Sequence, residues 1–93
     1  MVKLISIDSR LPSISIYPNP VKHILKITLK DAFSNSYKVR ITTMTGVLVY
    51  SKSKITLSGN TLTIDVANFT SGFYVIALTD ERGNVVKEKF VKE

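Results

Sequence analysis

The 93-residue chain contains no cysteine, no tryptophan and only one histidine. Without cysteine, neither a disulfide framework nor a thiolate metal site can hold it together or work in it. The one histidine, His23, opens a run of strand-like sequence, and a base there would need an orienting partner to activate a nucleophile. There is also no Gly-x-Ser-x-Gly elbow to present one. No stretch approaches the ~20 apolar residues of a membrane-spanning helix, and no membrane insertion is expected. Met1 to Asp8 is too short and too polar for a signal-peptide core. These absences predict a chain that is not an enzyme, binds no cofactor, holds no metal and is held together by packing alone.

What is present is a pattern of period two. Leu25, Ile27 and Leu29 alternate with Lys26, Thr28 and Lys30. Val39, Ile41 and Thr43 alternate with Arg40 and Thr42, and Leu62, Ile64 and Val66 with Thr63 and Asp65. An antiparallel strand reads this way when one face packs on a core and the other meets water. The many β-branched residues, and the lack of an apolar stripe at helical spacing, argue against helix. With 44% hydrophobic residues, the chain suits one small domain, burying roughly two-thirds of the surface its unfolded form exposes.

Turn signals separate the runs. Pro18-Asn19-Pro20 fixes two φ angles and removes two backbone donors, so it marks a turn or an edge between a first strand near Ser13 to Tyr17 and a second near His23 to Leu29. Asp31 to Ser36 reads as a polar loop. Met44-Thr45-Gly46 separates two apolar stretches as a tight hairpin does, with Gly46 at positive φ. Ser58-Gly59-Asn60 and Asp80-Glu81-Arg82-Gly83-Asn84 repeat the signal. About seven strands, with turns every 8 to 12 residues or so, predict an all-β fold, an immunoglobulin-like antiparallel sandwich.

An ordered set of motifs spans Ser13 to Glu93. It begins with Tyr17-Pro18-Asn19-Pro20-Val21 and the alternating Ile24, Leu25, Ile27 and Leu29, followed by Gly46-Val47-Leu48-Val49. Ile64-Asp65-Val66 then leads through Phe69 to Ser71-Gly72-Phe73-Tyr74-Val75, and Gly83 and Lys89-Phe90-Val91-Lys92 close the set. In this order and at these spacings the chain resembles the C-terminal sorting domain, type A, of the type IX (Por) secretion system, by which certain Gram-negative bacteria export proteins across the outer membrane.

The resemblance implies a secretion signal. The folded domain would be recognised in the periplasm by the type IX translocon and carried out with a covalently attached upstream cargo. A surface sortase would then remove it and join the cargo to an anionic lipopolysaccharide, so the end point is the cell surface or the extracellular space. On this reading residues 13–93 are the sorting domain and residues 1–12 are linker or expression start, with signal peptide and cargo lying upstream in a longer protein. The sortase cut is expected in the exposed stretch from Lys3 to Ser13.

The candidate recognition residues are Pro18, Asn19 and Pro20 with Lys87, Lys89, Phe90, Val91 and Lys92, while Gly46, Gly72, Tyr74 and Gly83 form a structural motif. Each has a plain packing account as well: a rigid turn, a glycine ahead of a buried Tyr74, a last strand feeding the core. Lys87, Lys89 and Lys92 are expected to be exposed and to add nothing to the core, which suits either recognition or protection of an edge.

A formal net charge of +6 and a pI of about 9.7 would attract any polyanion, including lipopolysaccharide. The basic residues read as scattered over the polar faces of different strands, with no interleaved aromatic ladder, so no nucleic-acid site is expected. Asp80 to Asn84 interposes Arg82 among its oxygens and makes a poor calcium loop. Asn68-Phe69-Thr70 matches a glycosylation sequon but reads as a turn. The second functional reading is a noncatalytic accessory sandwich that binds carbohydrate or protein at the cell surface. It is disfavoured by the lack of tryptophan and by aromatic residues that fall mostly at core positions.

Overall fold

The computed structural model describes residues 13–30, 36–57 and 59–93. The linker and cut-site expectations for residues 1–12, most of the loop from Asp31, and Ser58 lie outside them. Seven strands run in chain order: β1 (Ser13–Tyr17), β2 (Ile24–Lys30), β3 (Ser36–Thr43), β4 (Leu48–Thr56), β5 (Thr61–Asp65), β6 (Gly72–Thr79) and β7 (Val85–Lys92). They form two antiparallel sheets, one ordered β1-β2-β5 and the other β4-β3-β6-β7. This is the expected all-β sandwich.

The alternation read from the sequence sets the core. Leu25, Ile27 and Leu29 of β2 are fully buried, as are Val39 and Ile41 of β3 and Ile76 and Leu78 of β6. Leu62 and Ile64 come from β5, and Tyr37, Tyr74 and Phe90 add aromatic volume from the wider sheet. Each such aliphatic side chain contributes about 1.5–3 kcal/mol on leaving water.

Strand β4 and the residue before it break this pattern. Val47, Leu48 and Val49 are apolar, yet all are exposed. The strand lies at the edge of the four-stranded sheet and is bulged twice against β3, between Tyr37 and Val39 and again between Ile41 and Thr42. Each bulge inserts a residue that breaks the period-two phase. Only Tyr50 and Ile55 of this strand pack against the core.

Candidate recognition surface

The Tyr17-Pro18-Asn19-Pro20-Val21 segment leaves β1 and crosses to the other sheet. There it meets the outer edge of β7, the strand carrying the Lys89-Phe90-Val91-Lys92 motif. Both prolines are preceded by cis peptide bonds. Asn19 and Val21 between them satisfy three backbone groups of that edge. The Val91 amide donates to Asn19 Oδ1 at 2.9 Å. Val21 N–H donates to the Val91 carbonyl at 2.9 Å, and Glu93 N–H donates to the Val21 carbonyl at 2.8 Å. This is a short parallel bridge that covers one end of an otherwise open strand edge. An exposed Lys22–Glu93 pair at 3.9 Å lies beside it and adds little energy. Thus Pro18, Asn19, Pro20 and Val91, far apart in the chain, belong to one junction.

The other candidate residues of β7 divide by the pleat of the strand. Phe90 faces inward and is buried. Lys87 and Lys89 are exposed and stand opposite Ala77 and Val75 on the outer face of the sheet. Lys92, expected to be exposed, is instead buried, with only 7% of its surface accessible. It lies two residues beyond Phe90 and so shares the inward face. Its ammonium donates to the Phe69 carbonyl at 3.1 Å and to its neighbour Glu93's carbonyl at 3.2 Å. Lys92 therefore clamps the turn between β5 and β6, and its stem contributes to packing.

The same turn is held from the other side by Tyr74. Its hydroxyl donates to the Thr70 carbonyl at 2.6 Å. Its ring stacks on Phe90 with centroids 5.5 Å apart and meets Phe69 at 5.2 Å and a tilt of 48°. Asn68, Phe69 and Thr70 thus lie in a turn tied down at both ends, with Phe69 half-buried. Gly72 enters β6 just before Tyr74 with φ of +151°, a conformation that side chains rarely adopt. Gly46 and Gly83 occupy the β3–β4 and β6–β7 turns, both with positive φ.

In the β6–β7 turn the Asp80 carboxylate is committed to the backbone. Oδ1 accepts the Arg82 and Asn84 N–H groups at 2.8 and 2.9 Å, and Oδ2 accepts the Asn84 side-chain amide at 3.0 Å. Burial alone would push this carboxyl up. The hydrogen bonds from Asn84 and Arg82, with the Arg82 charge, outweigh it and hold the group below the ordinary aspartate value. The turn thereby accounts for Asp80 without chemistry. His23 is exposed, and its carbonyl accepts Val66 N–H at 2.8 Å, which makes it a strand-end residue.

Two surface features escaped the sequence reading. Phe73 is 64% exposed on the outer face of the four-stranded sheet. The basic residues, which looked scattered, are partly gathered: Lys38 and Arg40 of β3 share the outer sheet face with Lys87 and Lys89. The signal lay in the alternation of each strand, but the order of the strands was needed to combine it.

Comparison with known proteins agrees with this architecture. The family described as "Secretion system C-terminal sorting domain" matches residues 15–93. The chain is 32% identical over 89 residues to ulvan lyase NLR42 of Nonlabens ulvanivorans. That match takes in 94% of the chain and only 16% of the lyase. Among solved structures, a DUF3244-family protein of Bacteroides vulgatus, described as an immunoglobulin-like β-sandwich, superposes with a TM-score of 0.69. It shares 24% identity, covering 92% of this chain and 88% of that one, and so speaks to the fold alone.

Proposed function

The chain belongs to the family of secretion system C-terminal sorting domains, and from that premise we propose how its folded surface is used. The domain is a type IX secretion signal whose destination is the cell surface or the extracellular space. In our reading the type IX translocon recognises the folded sandwich in the periplasm and exports it together with an upstream cargo. A surface sortase then separates the two within the stretch from residue 3 to 13. The domain is a passenger and substrate in these steps and performs no catalysis.

The observation that carries the proposal is the junction between Asn19 and Val91. The two motifs that mark the family at opposite ends of the domain form one folded surface, so a receptor that reads them reads the sandwich intact. The likeness to part of an ulvan lyase suggests an enzyme as one class of cargo, by analogy with the relative. The reading as an accessory binding module has less support, because the buried Tyr37 and Tyr74 are withdrawn from any sugar platform.

The test is to fuse the chain behind a periplasmic fluorescent protein in a type IX-competent cell, with a translocon-defective strain beside it. Surface or medium fluorescence confined to the competent strain is the expected result. Retention in the periplasm of both strains would falsify the sorting role.

A further inference from the structure

The outer face of the four-stranded sheet carries an apolar row between two basic ones. Along β6 the outward residues are Phe73, Val75 and Ala77. Antiparallel pairing sets Arg40 of β3 on one side of Ala77 and Lys87 of β7 on the other. Val75 lies between Thr42 and Lys89, and Lys38 follows Arg40 two residues back on the same face. All four cations are exposed, and none has an ion-pair partner among the described residues. Of the described carboxylates, Asp65 is on the other sheet, Glu88 has the opposite phase and accepts the Lys89 N–H, Glu93 belongs to the junction, and Asp80 and Glu81 line a hollow with Lys38 at the end of the face, away from Arg40, Lys87 and Lys89.

This arrangement has an electrostatic cost in the isolated domain. Residues two apart on a strand are about 7 Å apart, and β3 and β7 are two strand spacings, about 10 Å, apart, so each of the four cations has a like-charged neighbour within about one Debye length of ~8–10 Å. Edge protection explains Lys87 and Lys89, but Arg40 and Lys38 lie on the interior strand β3, where no edge needs guarding. An anionic partner would relieve the repulsion.

The shape of the face narrows the partner. Lysine and arginine side chains stand taller on a sheet than Val75 and Ala77, so the apolar row is the floor of a trough. Its walls, at Arg40 and Lys87, are two strand spacings apart, about 10 Å, which is the width of one α-helix. A bilayer would require a row of apolar groups that project beyond the cations, whereas Val75 and Ala77 are short and only Phe73, at the end of the row, stands out. A polyanionic glycan would pair with the cations and leave the aliphatic floor wet. We propose that this trough is the docking site for a protein partner that presents an apolar ridge flanked by carboxylates, with exposed Phe73 as the aromatic anchor at one end. The proposal rests on the sorting role, and assigns to it the face by which the export machinery holds the domain.

The test compares two variants of equal net charge in the fluorescent fusion. Arg40→Ser/Lys87→Ser/Lys89→Ser strips the trough, while Lys26→Ser/Lys30→Ser/Lys52→Ser removes three exposed cations from other surfaces. Urea unfolding of each purified chain checks that both fold. The trough variant should be exported about tenfold less than the control, from the loss of several charge contacts at one interface. A photocrosslinker placed at Ala77 in the exporting cell should give an adduct that protease destroys, and the trough substitutions should abolish it. Equal export of both variants overturns the proposal while leaving the sorting role intact. So does an adduct that resists protease and carries lipopolysaccharide. Failure of the unmodified fusion to leave the competent cell removes the sorting role, and this proposal with it.

Discussion

Asn19 and Val91, 72 positions apart, are joined by a single hydrogen bond from the Val91 amide to Asn19 Oδ1. Edge amides of a sheet otherwise face water or recruit another strand. Here a side chain on the chain's own turn occupies the position, and the Val21 backbone completes the cover.

Asn19→Ala should therefore lower stability modestly, by about 0.5–1.5 kcal/mol, because water can reach the freed amide and replace part of the bond. The sharper readout is local. Hydrogen exchange at Val91 should accelerate in the variant by clearly more than at core amides such as Ile76, which follow only the global loss. Unaltered protection at Val91 would mean that the Val21 bridge alone closes this edge.

Much of the sandwich was legible because alternation is a local property. Leu25, Ile27 and Leu29 announce their buried face within seven residues, and that face persists whatever strand lies alongside. The Asn19–Val91 junction and the gathering of Arg40 with Lys87 were not legible, since both depend on the order β4-β3-β6-β7, which no local pattern contains. Lys92 is a different kind of miss. Its phase, two residues after Phe90, pointed inward, but its charge argued for solvent. The ammonium reaches the Phe69 carbonyl at the end of the sandwich, and phase prevailed over residue type.

That position separates the terminal lysines experimentally. Lys92→Ala removes buried stem packing and both carbonyl contacts, and should cost about 1–2 kcal/mol. Lys89→Ala, on the exposed face, should stay within about 0.5 kcal/mol of the parent. Urea midpoints of the two single variants decide the point. Equal midpoints would place Lys92 in solvent.

Tyr74 combines a core ring with a hydroxyl that holds the β5–β6 turn. Tyr74→Phe keeps the stacking on Phe90 but loses the 2.6 Å bond to the Thr70 carbonyl, for about 1 kcal/mol. Tyr74→Ala should cost about 3 kcal/mol or more by opening a cavity, a serious loss for a domain whose total stability is on the order of 5–15 kcal/mol. Gly72→Ala, at φ of +151°, should fall between the two at somewhat more than ~1 kcal/mol. Denaturant midpoints in any other order would contradict these assignments.

Acid should reach this fold through the β6–β7 turn. The Asp80 carboxyl titrates below its ordinary value in the folded chain, because its hydrogen bonds to Asn84 and Arg82 outweigh the opposing effect of burial. A carboxyl with a depressed folded pKa stabilises fully above its unfolded value of about 3.9, and that contribution is lost as pH falls through the folded value. Asp80→Asn keeps an oxygen for the turn amides but carries no charge. It should lower stability by about 1 kcal/mol at pH 7, and the gap between variant and parent should close below pH ~4. Urea midpoints of both proteins at pH 7, 4 and 2.5 test this. Parallel midpoint curves, with the gap unchanged at pH 2.5, would show that the charge on Asp80 contributes nothing and that only the shape of the turn matters.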